Sequence, residues 1–166
     1  MKTLGGDGFN GDGLPVHYVV KLFIIQKVLG VNRSVSWPVH WTSKIIQPSN
    51  IVRGTRYPGL SMGCHIDGRN GIAFGENVWV GPRVSIISMN HDLYDYEKYI
   101  QSPPVVIGDN CWIAANSVIL PGVKLGNHTV VAAGSVVTNS FIEGNQVLAG
   151  VPARVVKKIE NYKGSV

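Results

Sequence analysis

Large apolar residues recur at every sixth position over much of the chain, in two runs separated by a gap. The residues of this first series are Phe74, Val80, Ile86, Ile107, Ile113, Ile119, Leu125, Val131 and Val137. A second series, two positions earlier, holds apolar or small residues: Ile66, Ile72, Val78, Val84, Val105, Cys111, Ser117, Val123, Thr129 and Ser135. A period of six matches neither the alternation of a flat sheet nor the turn of an α-helix. It predicts a parallel coil with a corner every six residues, whose inner residues stack from coil to coil.

The gap between the two runs predicts a segment that lies outside the coil. Ile86 and Ile107 are 21 residues apart, which is three more than a multiple of six. The chain of about 87–104 must therefore leave the coil and return to it. This segment is polar and aromatic and ends in two prolines, and long loops in compact domains are more often functional than idle.

The sequence before the repeat divides into two parts. Residues 1–15 are rich in glycine and lack the apolar core of a signal peptide, so we expect a flexible leader. Val16–Gly30 is strongly apolar, but its 15 residues are too few and too interrupted by lysine to span a bilayer comfortably. We expect a helix that packs on the main body. A weak association of this helix with a membrane surface is the alternative.

Composition supports an all-β domain after this helix. Hydrophobic residues make up 45% of the chain and charged residues only 15%. The 20 glycines and nine prolines indicate frequent turns, and the apolar residues between them are mostly Val and Ile, which favour strands. The predicted organisation is a leader at 1–15, a helix and connecting segment at 16–50, and the coil with a C-terminal tail at 51–166.

The net charge of +5 is compatible with a phosphate-rich cofactor or with nucleic acid. The basic residues form no long run, and the nearest approach to one is a C-terminal group of Arg154, Lys157, Lys158 and Lys163. The two cysteines have neither metal-site nor redox spacing and are too few for a disulfide scaffold. A cytoplasmic protein is therefore expected.

Four segments carry a family resemblance. They are IGDNCWIAANSVILPGVKLG at 107–126, VVAAGSVVT at 130–138, AGVPARVV at 149–156 and a loop that begins Asn90-His91-Asp92. With them, the chain from about Leu60 to Lys158 resembles the hexapeptide-repeat acyltransferases, closest to galactoside, maltose and bacterial polysaccharide O-acetyltransferases. The resemblance implies a left-handed parallel β-helix with one extruded loop. The hand comes from the family alone, since ordinary crossovers favour the opposite one.

The resemblance also implies an enzyme. Members of the family are homotrimers in which acyl-CoA lies in a cleft between two subunits, and the acetyl group passes directly from the thioester to the acceptor. Such a transfer needs a base for the acceptor proton and a donor for the charge on the thioester oxygen, but no metal and no covalent enzyme intermediate. Acetyl-CoA is the expected co-substrate, and no metal and no nucleic acid are expected.

His91 is the expected general base, because it stands in the loop where the family has its catalytic histidine. The unperturbed pKa of imidazole near neutral pH suits that role. A hydrogen bond to Asp92 or Asp95 would orient the ring, although a purely structural loop histidine would make the same bond. Asn90, Asp92 and His65 are expected on the acceptor side of the cleft.

The resemblance assigns the cofactor side position by position. Trp112 matches a residue beside the thioester end of CoA, and packing on the trimer face is its alternative. Ala115 stands where the sugar acetyltransferases often have Ser, so a contact there would come from the backbone. Ala133 and Gly134 match the pantetheine slot, Thr138 lies near the adenosine end, and Arg154, Lys157 and Lys158 match positions that meet the phosphates.

The acceptor is the least specified part of the prediction. The coil from Tyr57 to Gly71 lacks the Asn- and Asp-bearing pattern that the galactoside and maltose enzymes use on their sugars. The chain reads more like enzymes that acetylate surface polysaccharides or sugar precursors. An antibiotic O-acetyltransferase and a non-catalytic β-helix trimer are the alternatives. A zinc enzyme of the γ-carbonic anhydrase type is disfavoured, because His91 has no second histidine within a few residues.

Overall fold

Stacked parallel strands form a left-handed β-helix of about five turns in this computed structural model, which describes residues 14–164. The predicted fold class, with its extruded loop and N-terminal helix, is confirmed. The leader expected at 1–15 lies outside the described residues except for its last two positions.

Three sheets form the walls of the β-helix. Sheet A contains β1 (Lys44–Ile46), β3 (His65–Asp67), β6 (Ser85–Ile87), β11 (Val118–Ile119) and β14 (Val136–Val137). Sheet B contains β2 (Ile51–Val52), β4 (Ile72–Phe74), β9 (Val105–Ile107) and β12 (Lys124–Leu125). Sheet C contains β5 (Trp79–Val80), β10 (Trp112–Ile113), β13 (Thr129–Val131), β15 (Gln146–Gly150) and β16 (Ala153–Lys158). Only β16 runs antiparallel to its neighbour within these three sheets.

The order of the walls decides where the functional segments emerge. Along the chain, each coil passes through sheet C, then sheet A, then sheet B. Sheets A and B therefore meet at the corner opposite sheet C. The extruded loop leaves after β6 and returns at β9, which places it at that corner. Its two short strands, β7 (Asn90–His91) and β8 (Tyr99–Ile100), pair only with each other.

The two predicted series form the core. Every residue of both is buried except Val80, which is partly exposed. The prediction for Ile66 is wrong. The sequence put this residue in the second series, but in the structure it pairs with Ile86 and so belongs to the first series. The corner after β3 contains two more residues than a six-residue count allows. The same shift puts Cys64 inside the core, although this residue belongs to neither six-residue series.

The corners show why small residues follow the first series. The Asp109 side chain accepts a hydrogen bond from the Glu76 amide at 2.8 Å, and Asn127 does the same for the Asp109 amide at 2.9 Å. A Cβ on Gly75 or Gly108 would collide with these accepting oxygens. Glycine at these corners lets one coil bond to the next through its side chains.

The N-terminal segment packs against the first coil, as predicted. It contains α1 (Val16–Phe23) and a π-helix (Ile24–Val28), and a 3-10 helix (Pro48–Asn50) lies further along. The Gln26 side chain is buried and donates to the carbonyls of Val35 and Trp37 at 3.0 and 2.8 Å. The domain boundaries stay a prediction, although the first strand of sheet A already begins at Lys44, ahead of the expected boundary at 51.

Substituting an inner residue should show how far the fold depends on the stacked series. Ile86 is fully buried between Ile66 and Ile119, and Ile86→Ala should lower the free energy of unfolding by about 2–5 kcal/mol in urea. Ile142 is 74% exposed, so Ile142→Ala is the matched control and should cost less than about 0.5 kcal/mol. Equal effects of the two substitutions would contradict the assignment of the core.

Candidate active site

The extruded hairpin is shaped by its own carboxylates. Asp92 accepts hydrogen bonds from the amides of Tyr94 and Asp95 at 2.8 and 3.0 Å. The Asp92 amide donates to the carbonyl of Lys98 at 3.0 Å. These bonds close a turn between the two short strands and bring Asn90 and His91 opposite Ile100 and Tyr99.

The ring of His91 is held in one orientation. Its Nδ1 lies within hydrogen-bond distance of the Tyr96 carbonyl oxygen, and a carbonyl can only accept. The proton of the neutral ring therefore sits on Nδ1, and Nε2 keeps its lone pair. The ring also packs at 4.6 Å from the Tyr99 ring, and the side chain is exposed. This arrangement can accept a proton at Nε2 from an incoming group.

The His91 ring does not bond to either of the carboxylates expected as its partner, Asp92 or Asp95. Asp92 bonds to backbone amides, and Asp95 accepts from the Glu97 amide and pairs with Lys98 at 3.0 Å. The acceptor for the ring is a backbone carbonyl instead. The carboxylates therefore affect His91 only indirectly, by fixing the backbone conformation of the loop.

The preceding coil supports this hairpin through Arg69. Its guanidinium lies over the Tyr99 ring at 4.7 Å and donates to Asp67 at 2.6 and 3.0 Å. The neighbouring Asn70 donates to the Ile100 carbonyl at 3.2 Å. A chain of contacts therefore runs from the buried Asp67 through Arg69 and Tyr99 to His91.

The charge of Asp67 is stabilised by the same arginine. Burial raises the pKa of this carboxyl, but the hydrogen bonds and charge of Arg69 outweigh burial, and the net pKa lies below its ordinary value. Asp67 is thus ionised at neutral pH and fixes the guanidinium that supports Tyr99.

Two tryptophans lie side by side on the outer face of sheet C. Trp112 pairs with Trp79 on the adjacent strand, and both side chains are about half exposed. The Arg56 guanidinium stacks over the Trp79 ring at 3.5 Å, and both side chains donate to Asn77. Trp79 is thereby fixed by its neighbours, while the face of sheet C beside Trp112 stays open.

The small residues predicted for the cofactor side line the neighbouring corner between sheets C and A. Ala115 and Gly134 follow strands of sheet C in adjacent coils, and the Gly134 amide donates to the Ala115 carbonyl at 2.9 Å. Ala133 is exposed beside them, and no atom would lie within 4 Å of a Cβ on Gly134. Thr138 is exposed just after β14 of sheet A. The corner between sheets C and A thus has room beside its backbone.

The basic residues predicted for the phosphates lie on β16. Arg154 and Lys157 are exposed, and the Arg154 guanidinium donates to the Ala153 carbonyl. Lys158 is paired with Glu143, whose pKa this ammonium lowers. Arg154 and Lys157 are consequently better placed than Lys158 to accept a new anionic partner.

The residues of the predicted catalytic loop form one group, and Trp112 with the basic residues of β16 forms another. Asn90, His91 and Asp92 emerge at the corner of sheets A and B, whereas Trp112 and the basic residues of β16 belong to sheet C opposite. His65 lies on β3 of sheet A, paired with Ser85 and partly exposed. The topology of a single chain does not bring the two groups together.

Sequence reasoning missed the residues that hold the base. The Tyr96 carbonyl, Tyr99, Arg69 and Asp67 were not among the candidates. A backbone acceptor leaves no mark in a sequence, and Arg69 meets Tyr99 only through the return of the loop. No sequence signal pointed to Arg69 either, because the two additional residues in the corner at 68–71 show only in the strand register.

The part of the chain that the structure describes lacks the group of side chains that a metal site requires. Within residues 14–164, no three His, Cys, Asp or Glu side chains lie close enough to hold a metal ion together. The two cysteines are buried and unpaired, and burial raises the pKa of Cys111 to about 11.

Residues 104–139 match the family described as bacterial transferase hexapeptide (six repeats). Residues 104–139 thus carry a hexapeptide repeat similar to that of these transferases. The resemblance to hexapeptide-repeat acyltransferases that the sequence predicts is confirmed. The match begins as the chain re-enters sheet B after the loop and ends just past β14.

Known relatives extend the similarity beyond the repeat itself. The galactoside O-acetyltransferase of Escherichia coli is 39% identical over 95 residues, which are 54% of this chain and 45% of that protein. The maltose O-acetyltransferase structure from Clostridium difficile is 34% identical, with a TM-score of 0.59 over 72% of this chain and 66% of that one. A hexapeptide-repeat acetyltransferase from Vibrio cholerae, complexed with acetyl coenzyme A, is 28% identical, with a TM-score of 0.59 over 72% and 69%. The chain spans about half the length of the curated relatives it matches.

Removing Arg69 should change how stability depends on pH. The lowered pKa of Asp67 means that its pairing stabilises the fold above the ordinary value of 3.8 and ceases to do so as pH falls through the lower folded-state pKa. Arg69→Met should cost roughly 1–3 kcal/mol in the free energy of unfolding at neutral pH. This difference from wild type should shrink on acidification below 3.8.

The matched control is Lys98→Met, which removes an exposed lysine paired with Asp95. Urea unfolding of this variant should differ from wild type by less than about 1 kcal/mol at any pH. A difference for Arg69→Met that stays constant from neutral to acid pH would show that Asp67 is not the group involved.

Proposed function

We propose that the chain is an O-acetyltransferase that moves an acetyl group from acetyl-CoA to a hydroxyl of a saccharide, with His91 as the general base. The observation that carries this proposal is the orientation of the His91 ring. Its Nδ1 proton is engaged by the Tyr96 carbonyl, so Nε2 is free to take a proton from a hydroxyl at the exposed face of the hairpin.

The proposed reaction is a single direct transfer. Nε2 of His91 removes the hydroxyl proton while the hydroxyl oxygen attacks the thioester carbon, and a tetrahedral intermediate forms. The carbon–sulfur bond then breaks, and the thiolate of CoA takes the proton back from the imidazolium. A backbone amide near the cleft would stabilise the charge on the thioester oxygen. The Tyr96 carbonyl would stabilise the imidazolium through Nδ1, because the bond to the charged ring is the stronger one.

The proposed cofactor is acetyl-CoA, which the Vibrio cholerae relative binds. Trp112 would flank the thioester end, and the open corner at Ala115, Ala133 and Gly134 would admit the pantetheine, whose slim chain needs space beside the backbone. Thr138 would lie near the adenosine end. The phosphates would meet Arg154 and Lys157, with a smaller part for Lys158 because Glu143 already pairs with it.

We further propose a homotrimer with its sites between subunits. The support is topological, since the hairpin emerges opposite sheet C and cannot cover the Trp112 face of its own chain. A neighbouring copy, rotated about a threefold axis, could bring its hairpin to that face. Each site would then combine His91 of one subunit with Trp112 of the next.

The acceptor is proposed to be a surface polysaccharide or its sugar precursor, modified in the cytoplasm. The sugar class follows from relatives named for galactoside and maltose acetylation. Asn90, Asp92 and His65 are the residues proposed to contact it. At the corner after β3, this chain has Arg69, which pairs with Asp67 and stacks on Tyr99.

Loss of the base should abolish most of the transfer. His91→Ala should lower turnover by about 100- to 10,000-fold in a thiol-release assay with acetyl-CoA and a panel of sugars and nucleotide sugars. The Michaelis constant for acetyl-CoA should change little, because the base contacts the acceptor hydroxyl. His17 is exposed on the N-terminal helix, and His17→Ala is the control that should keep full turnover. Near-normal turnover of His91→Ala with a good acceptor would reject His91 as the base.

Neutralising the β16 cations should weaken the cofactor and leave the fold intact. Arg154→Ala with Lys157→Ala should raise the dissociation constant of acetyl-CoA by about tenfold or more, since bonds to charged groups contribute roughly 1.5–3 kcal/mol each. The control is Lys44→Ala with Lys124→Ala, which removes the same charge from exposed positions elsewhere. Calorimetry that gives one dissociation constant for both double variants would contradict the phosphate assignment.

A further inference from the structure

One face of the N-terminal helical segment is apolar and uncovered. Val16, Val20, Ile24 and Val28 follow one another at intervals of four residues and are 45–78% exposed. Such spacing places them in one stripe along the helix. The opposite face, with Leu22 and Gln26, is buried against the protein. We call these four residues the apolar stripe.

The same end of the molecule is strongly basic. From residue 14 to residue 66 the sequence has no acidic residue and six basic ones: Lys21, Lys27, Arg33, Lys44, Arg53 and Arg56. The other residues of the chain carry nine basic and ten acidic side chains. The whole net positive charge of the protein is therefore concentrated in this region.

The basic region and the apolar stripe share one end of the β-helix. β1 and β2 are the terminal strands of sheets A and B, and the helix packs on this first coil through Gln26 and Trp37. Lys21 and Lys27 turn back onto the protein, over Trp41 and onto the Val35 carbonyl, while Arg33 and Lys44 are exposed. An apolar stripe with a surrounding positive potential fits a surface that is both apolar and anionic.

We propose that this end of the protein docks on an anionic lipid bilayer, with the apolar stripe at the headgroup boundary. No helix among residues 14–164 is long and apolar enough to cross a membrane. The proposed contact is therefore peripheral, at the surface of the bilayer. Within a Debye length, the anionic headgroups attract the six basic residues together, including those whose ammonium groups bond to the protein. The proposal is independent of the transferase activity.

A second copy of the chain is the less favourable occupant of the stripe. Two copies that met through this end would bring together regions that each carry six positive charges and no acid, and such like-charge contact is unfavourable. A bilayer supplies the opposite charge and the apolar layer at once.

The test is co-sedimentation of the full chain with lipid vesicles. One vesicle type is phosphatidylcholine alone, and the other holds equal parts of phosphatidylcholine and phosphatidylglycerol. We expect binding to the anionic vesicles only, falling steeply when salt is raised from about 0.1 M to about 1 M, because the Debye length shortens from about 10 Å to about 3 Å. Ile24→Gln with Val28→Gln, and separately Arg33→Glu, should each weaken this binding about tenfold or more.

Matched controls lie at the other end of the β-helix. Ile142→Gln changes an exposed apolar residue, and Lys124→Glu reverses an exposed charge in sheet B. Both should bind anionic vesicles like wild type, and all variants should keep the wild-type circular dichroism spectrum.

Three results would overturn the proposal. They are binding of neither vesicle type, equal binding of both, or equal weakening by the controls. A change in oligomeric state in the Ile24 and Val28 variant, seen by light scattering without any vesicle binding by wild type, would assign the stripe to a second copy instead.

Discussion

Backbone pairing between successive parallel coils decides where the chain can accept additional residues. It holds the two inner series in line, so that Ile66, Ile86 and Ile119 stack in one row. An extra residue within a strand would move every later side chain to the wrong face. Additional residues are therefore accepted only at corners. Such corners lie in three successive coils where sheet A meets sheet B, at 47–50, 68–71 and 88–104.

The corners at 68–71 and 88–104 act together. The larger one forms the hairpin that carries His91, and the smaller one supplies Arg69 and Asn70, which contact the returning strand at Tyr99 and Ile100. A loop that leaves the coil would otherwise have few contacts with the core. Support from the coil below holds the exposed ring in a defined place, which a base needs if it is to meet an acceptor hydroxyl at hydrogen-bond distance.

The sequence predicted the features that obey a period. The stacked series, the extrusion of 87–104 and the helix after Val16 all followed from the spacing and length of apolar runs. Counting by six failed at the corner after β3, and so misplaced Ile66 and left Cys64 without an assignment. The partner of His91 could not be predicted, because a carbonyl belongs to every residue and its position depends on the turn that Asp92 closes. The cofactor and acceptor residues rest on family resemblance and stay predictions.

Nitrogen NMR of the folded protein, at a pH where the His91 ring is neutral, reports which ring nitrogen carries the proton. The hydrogen bond to the Tyr96 carbonyl predicts that the proton is on Nδ1 and that Nε2 is unprotonated. His17, exposed on the helix, should instead show the mixture of tautomers of a free imidazole. A proton found on Nε2 of neutral His91 would contradict the account, because that nitrogen could not then accept the proton of a hydroxyl.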